Sequence, residues 1–177
     1  MAATSGTHSS QMEVVPASVE QEPVLANLLE LYMHDFSEFH SLELDADGRF
    51  GYKNLAAYWN EPDRHPFLIL VDGRLAGLAL VQKVFQVPGR VPVWDMAEFF
   101  IVRAYRRSGN GLKAAHAVWR RFPGSWQVRV MDANRAALIF WQRAVSAFCA
   151  EEIHPVSFAN DGVMWWVFEF ESPLAAD

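Results

Sequence analysis

Glu98 and the stretch Arg106-Arg107-Ser108-Gly109-Asn110-Gly111 carry the most chemical capacity in this chain. The stretch is a basic, glycine-bearing turn. It follows an apolar, strand-like run (Phe99-Phe100-Ile101-Val102) and opens a helical pattern in which Leu112, Ala115, Val118 and Trp119 recur at helical spacing. A helix that starts on such a turn leaves its first N–H groups without intrahelical acceptors, and its macrodipole puts partial positive charge there. That is a site for phosphate. Arg106, Arg107 and Lys113 add full charges beside it. Glu98 stands just before the apolar run, among Met96, Phe99 and Phe100. Surroundings of that kind raise a carboxyl pKa and suit it to taking up a proton. The plainer alternative is a strand-face carboxylate that only binds a positive charge.

The charge distribution supports an anion site. The chain has net charge −6, which disfavours non-specific nucleic-acid binding. Yet no Asp or Glu lies between Phe99 and Met131, where Arg103, Arg106, Arg107, Lys113, Arg120, Arg121 and Arg129 all fall. A basic island around a glycine turn in an acidic protein fits a small anionic ligand. A solvated helix face accounts for Arg120 and Arg121 but not for the turn. The His residues lack metal-ligand spacing, so no metal is expected. The single Cys149 excludes an intrachain disulfide and reads as a structural thiol. There is no apolar run of membrane-spanning length and no apolar signal-peptide core, so a cytoplasmic protein without a membrane partner is expected.

The elements that must hold these residues can be read in order. Met1–Gln11 is small and polar and is expected to be a disordered tail before one domain over 12–177. Met12–Ala17 predicts a strand. Ser18 and Gln21 match a capping box ahead of an amphipathic helix ending near Phe36. His34–Tyr52 is acidic and aromatic and is a candidate substrate-facing segment. A short helix is expected over Lys53–Trp59. Phe67–Val71 and Leu75–Phe85 predict a hairpin about Asp72-Gly73, and Gln86–Pro92 a loop. Val93–Val102 predicts a long strand, Gly109–Phe122 a helix and Trp126–Met131 a strand. A helix over Arg135–Phe148 is capped by Asp132 or Asn134. After a loop through Asn160-Asp161-Gly162, Val163–Phe170 is the last strand. This order is mixed α/β, with one right-handed parallel crossover.

Arg106 to Gly111 matches the pattern R/Q-x-x-G-x-G/A, and Asn134-Arg135-Ala136-Ala137-Leu138-Ile139-Phe140-Trp141 resembles N-x-x-A-x-x-F-Y. In both motifs and in element order across about Met12–Glu171, the chain resembles the GNAT superfamily of acetyl-CoA-dependent N-acetyltransferases. The resemblance implies a central, mostly antiparallel twisted sheet, flanked by helices and splayed between its fourth and fifth strands, with acetyl-CoA in the splay. Backbone groups of the Phe100-Ile101-Val102 edge, with Phe100 and Val102 as the pairing residues, would hold the pantetheine arm. The amides of Arg107, Ser108, Gly109, Asn110, Gly111 and Leu112 would hold the pyrophosphate. Arg103, Arg106 or Lys113 would meet the 3′-phosphate. Asn134 would bond near the pantetheine or simply cap its helix. Trp141 and Phe140 would border the cofactor arm or fill the core.

Glu98 matches a glutamate that several members use as general base, usually through water. The departure is Trp141. Many members have tyrosine there, whose hydroxyl protonates the leaving thiolate, and an indole offers no comparable acid. The general acid is therefore unassigned. The leading reading is direct acetyl transfer from acetyl-CoA to a primary amine on a small molecule or peptide. Asp35, Glu38, Glu43, Asp45 and Trp59 favour a small cationic or aromatic amine. An acyl-CoA sensor without turnover and a toxin-like enzyme acetylating aminoacyl-tRNA are the alternatives, and a homodimer is compatible with the resemblance.

Overall fold

The computed structural model describes residues 10–84 and 91–174. The tail expected over residues 1–9 and the Gln86–Pro92 loop as far as residue 90 lie outside the described residues. Gln11, expected in the tail, is tied to the first hairpin: its N–H donates to Asp72 Oδ1 at 2.8 Å and its carbonyl accepts from Asp72 N–H at 2.8 Å.

Along the chain come β1 (Met12–Pro16), α1 (Glu22–Phe36), α2 (Ala57–Asn60), β2 (Arg64–Val71), β3 (Arg74–Val84) and β4 (Val93–Ile101). Then follow α3 (Asn110–Trp119), β5 (Gly124–Met131), α4 (Arg135–Cys149), β6 (Val156–Asn160) and β7 (Val163–Ser172). Local chemistry sets the joints. Asp72 and Gly73 both have positive φ (50° and 70°), which closes the β2–β3 hairpin with the right-handed twist of its strands. Gln21 Oε1 accepts from Ser18 N–H at 3.0 Å at the entry to α1, as the capping box implies. The short helix is shifted to Ala57–Asn60, because residues 53–56 form turns instead.

The strands form one sheet of order β1-β2-β3-β4-β5-β7-β6, antiparallel except for the pair β4–β5. β6 was not foreseen. Residues 156–160 are exposed along their whole length, yet they pair with β7 through an Asp161-Gly162 turn of positive φ (48° and 77°).

The feature that organises the site is the parallel pair. β4 and β5 are joined only at Trp94–Trp126 and Asp95–Gln127, and beyond Asp95 they part. On its other edge β4 stays paired with β3 to Ile101, with a bulge: Glu98 faces Leu80 and Met96 faces Val81, so Ala97 is the extra residue. The expected splay between the fourth and fifth strands is present.

Each face of the sheet is covered. Against α3 and α4 lies a core containing Ile101, Val118, Trp119, Trp126, Trp141 and Phe168. Against α1 and α2 lies a second, with Leu25, Leu29, Tyr58, Leu80 and Phe100. Trp119 and Trp126 are fully buried, each a gross gain of about 4–6 kcal/mol at ~25 cal/mol per Å². The helices over the first face hold α3 in place, and so fix the turn that precedes it.

Candidate active site

The turn after β4 is shaped by two left-handed residues, Arg107 (φ 64°) and Gly109 (φ 81°). Gly109 is the N-cap of α3, and no side chain caps that helix. The first N–H groups of α3 are thus left for a ligand. Ser108 and Asn110 serve the turn itself. Asn110 Nδ2 donates to Ser108 Oγ at 2.8 Å, and Ser108 Oγ donates to Tyr105 O at 2.9 Å. Their side chains staple the loop rather than face the cleft. Gly111 is small for a packing reason: a Cβ there would lie 3.3 Å from the Phe140 ring.

A cleft of about 680 Å³ lies beside the end of β4, between α1, the turn before α3 and α4. Phe100, Ile101, Arg106, Arg107, Gly109, Gly111, Leu112, Asn134 and Trp141 line it, with Tyr32, Asp35, Phe99, Phe140 and Arg143 among the rest. One backbone assignment needs correction. Val102 N–H donates to Ala76 O at 2.8 Å and Val102 O accepts from Tyr105 N–H at 2.8 Å, so neither group is available to a cofactor arm. The Phe100 carbonyl also faces β3, where a Cβ on Gly77 would meet it at 2.0 Å. By strand alternation it is Phe99 and Ile101 that turn their backbone groups to the open edge. Arg106 Nε donates to the Ile101 carbonyl there, at 2.6 Å.

Asn134 caps α4, its Oδ1 accepting from Ala137 N–H at 3.0 Å, while it also lines the cleft. Trp141 is buried and packs edge-on to Phe99 at 5.1 Å, so it belongs to core and cleft wall together.

Glu98 lies on the opposite face of β4 from Phe99, the same face as Phe100. It is partly buried, and burial raises its carboxyl above the usual range against the opposing influence of two nearby phenols, Tyr32 and Tyr52. Tyr52, from the loop before α2, donates to Glu98 Oε1 at 3.1 Å. Burial and then the Glu98 charge push both phenols up, so both hydroxyls stay protonated. Tyr58 follows in the same cluster, pushed up to about 12 by burial first. Sequence reasoning found Glu98 and missed its donor, Tyr52.

The acidic segment is arranged differently from the expectation of an amine-binding patch. Asp35 accepts from Arg103 Nη2 and Arg106 Nη2, each at 2.6 Å. Burial alone would raise its carboxyl, but these bonds outweigh it and hold it below the usual range. Asp45 Oδ1 accepts from the N–H groups of Asp47 and Arg49 at 2.9 Å, closing its own turn. Trp59 Nε1 donates to Ala17 O at 2.8 Å. Of the residues expected to favour a cationic amine, Glu38 alone lines the cleft without such a bond among the described residues. Arg103 and Arg106, expected at a phosphate, are matched by Asp35. Arg107 and Arg143 are the cleft-lining arginines without a carboxylate partner among the described residues.

A second cavity of about 630 Å³ opens on the α1 face of the sheet, between β3, β5, β6 and β7. Val84, Val156, Phe158 and Val167 give it apolar walls, and Gln82, Arg129 and Glu169 its polar groups. At its root Asp95, fully buried, accepts from Gln82 Nε2 (3.1 Å), Gln127 Nε2 (2.9 Å), Arg129 Nε (3.2 Å) and Arg129 Nη2 (2.9 Å). With both oxygens engaged, Asp95 is an anchor and not a base. Burial raises the Cys149 thiol, so it is no activated nucleophile. Among the described residues no helix is long and apolar enough to cross a membrane, and no group of three or more His, Cys, Asp and Glu could hold a metal ion.

Comparison with known proteins bears on this arrangement. No curated protein matches the chain. An acetyltransferase from Thermus thermophilus superposes with a TM-score of 0.65 at 15% identity, over 90% of this chain and 97% of that one. The ribosomal-protein-S18-alanine N-acetyltransferase of Escherichia coli gives 0.61 at 13% identity, over 94% and 97%. Arabidopsis thaliana NAA60 in complex with acetyl-CoA gives 0.60 at 11% identity, over 91% and 98%. The model of the acetyltransferase (GNAT) family matches residues 25–145, which include most of α1, the splayed pair and the turn before α3. A splayed parallel pair, a phosphate-shaped turn at its mouth and that match lead to one conclusion: the chain belongs to the GNAT acetyltransferase family.

Proposed function

We propose that this protein transfers an acetyl group from acetyl-CoA directly to a primary amine, with Glu98 as general base. The observation that carries the reading is the position of Glu98. Its raised carboxyl sits on β4 three residues beyond Asp95, within the stretch that β5 leaves open. The cleft fits acetyl-CoA on its own features: unspent N–H groups at the start of α3, a left-handed Gly109, and the uncommitted cations Arg107 and Arg143. In this reading Arg107 and Arg143 take the phosphates, and Phe99 and the Ile101 N–H offer backbone groups to the pantetheine amides, the Ile101 carbonyl being taken by Arg106.

An alkyl ammonium titrates near pH 10.4, so a base must strip it before it can attack. Glu98, its carboxyl raised by burial, accepts that proton with less mismatch than an exposed carboxylate. The acceptor enters from the second cavity, whose floor reaches Asp95 and Arg129, both in electrostatic contact with Glu98. Its Val and Phe walls favour an amine with an apolar body over the highly cationic one suggested by the acidic segment. The protein acts in the cytoplasm on this view.

A non-catalytic sensor would have little use for a raised carboxyl held by the Tyr52 hydroxyl, which favours the enzyme. Calorimetry with acetyl-CoA should show binding that Gly109→Glu abolishes. Thiol release across an amine panel should show turnover that Glu98→Gln reduces at least ~100-fold with acetyl-CoA binding intact. Binding without turnover on any amine would establish the sensor instead, and full activity in Glu98→Gln would remove Glu98 as base.

A further inference from the structure

We propose that Glu30 is a positioning residue for the reaction: its carboxylate clamps the chain at Phe50 and Gly51, and so sets the Tyr52 hydroxyl on Glu98 and fixes how the base is held. This rests on the acetyl-transfer reading above, with Glu98 as base. The link is a chain of hydrogen bonds through three parts of the fold. Phe50 N–H donates to Glu30 Oε2 at 2.8 Å, and Gly51 N–H donates to Glu30 Oε1 at 3.0 Å. The next residue, Tyr52, donates its hydroxyl to Glu98 Oε1 at 3.1 Å. One carboxylate on α1 thus orders the loop that reaches the other on β4.

A hydroxyl carried by a loop has no helix or strand to fix it, so its position must be held by other contacts. Upstream the loop closes on itself, with Asp45 accepting from the N–H groups of Asp47 and Arg49. Downstream, Leu55 and Tyr58 are buried in the core beneath α1. Glu30 ties the stretch between them to α1. Gly51, at φ 68°, then turns the chain out of the clamp and into Tyr52. A Cβ there would meet nothing within 4 Å, so glycine is needed for its conformation and not for room.

The groups that face Glu98 are Tyr32 from α1, Tyr52 from the loop, Tyr58 from α2, Asp95 on its own strand and Arg129 on β5. Asp95 and Arg129 are paired at 2.9 Å, and their effects on the carboxyl oppose each other. Burial holds the Tyr52 proton tightly, so this hydroxyl is a donor throughout the working pH range. A donor on an ionised carboxylate favours the charged form. The clamp therefore limits how far burial raises Glu98, and it fixes the carboxylate in place for the amine.

Neither Glu30 nor Tyr52 lines the cofactor cleft, so acetyl-CoA affinity by calorimetry should stay within about twofold in every variant. Tyr52→Phe and Glu30→Ala should each lower kcat about tenfold on the best amine of the panel, because a displaced base loses its reach. In both, the acid limb of the pH profile of kcat/KM should move up by about half a pH unit or more, since the carboxylate has lost its donor. Glu30→Gln loses the charge but keeps an acceptor oxygen, and should fall between Glu30→Ala and the unaltered protein. The double variant separates positioning from mere support of the fold. If Glu30 acts through Tyr52, Glu30→Ala causes little further loss in the Tyr52→Phe background, whereas a purely structural anchor would cost the same factor in both. The Glu98 carboxyl itself, followed by NMR of carboxyl-labelled glutamate and identified with Glu98→Gln, should titrate higher in both single variants. An unmoved titration in Glu30→Ala, or equal losses in the two backgrounds, overturns the proposal while leaving acetyl transfer standing. An unaltered protein that binds acetyl-CoA but turns over no amine overturns both.

Discussion

Replacing Asp95 with alanine should loosen the root of the splay, and the cost can be worked from its partners. Asp95 is fully buried and receives hydrogen bonds from Gln82, Gln127 and two nitrogens of Arg129, across β3, β4 and β5. Removing the carboxylate strands these donors unequally. Gln127 is 5% exposed, so its amide loses a partner that water cannot replace, costing about 1–3 kcal/mol. The Arg129 side chain is 41% exposed and can rehydrate, which leaves about 1 kcal/mol of lost charge-assisted bonding after solvent screening. The sum is about 2–4 kcal/mol, below the ~3–5 expected for breaking a fully buried pair. For a domain of this size, about 3 kcal/mol lowers Tm by roughly 6–12 °C. Urea unfolding at pH 7 with a parallel thermal melt measures both. A loss under about 1 kcal/mol would mean that the network is ornamental, and the account of why β4 and β5 stay joined only at their base would be wrong.

Glu98→Gln should unfold at higher temperature than the unaltered protein at pH 7. The folded carboxyl is raised above its unfolded value. Its ionisation therefore takes stability away as pH rises through the folded pKa, and the neutral amide escapes that cost. Melts at falling pH should show the gap closing towards the ordinary carboxyl value of about 4.3, whereas a lower Tm at pH 7 would contradict the raised pKa. Gly77→Ala should cost at least about 3 kcal/mol in urea unfolding, because its Cβ would lie 2.0 Å from the Phe100 carbonyl and must force β3 from β4. Asp35→Asn should tighten CoA binding about fivefold, or about 1 kcal/mol, by freeing Arg103 and Arg106 for phosphate. Weaker binding by calorimetry would show instead that Asp35 orients those arginines for the ligand.

The part of the site that lies along one stretch of chain was legible. The run from Glu98 through the turn to Leu112 announces strand, turn and helix in one continuous local pattern, and its geometry follows from glycine at a left-handed position. Legibility failed first at strand parity. Whether Phe100 or Ile101 faces the open edge depends on register with β3 and on the bulge at Ala97, and neither is written in β4 alone. β6 is a different failure. Val156 and Phe158 alternate with polar or small residues before an Asp-Gly turn, the same signal that gave the β2–β3 hairpin, so the strand was there to be read.

The remaining residues were beyond any local pattern because each takes its role from a partner far away in sequence. Tyr52 is an aromatic residue in an acidic loop until the fold sets its hydroxyl on Glu98. Asp35 looks like a receptor for a cationic amine until Arg103 and Arg106, brought from beyond β4, claim it. The same placement changes the chemistry expected of the site. It moves the negative charge of Asp35 to the cofactor side, beside Arg103 and Arg106. With Asp35 and Asp45 occupied elsewhere, the proposed acceptor route is the apolar-walled cavity beside Arg129 and Glu169. Acceptor selection should then respond to the bulk of Val84, Val156 and Phe158 more than to the charge of the α1–α2 loop.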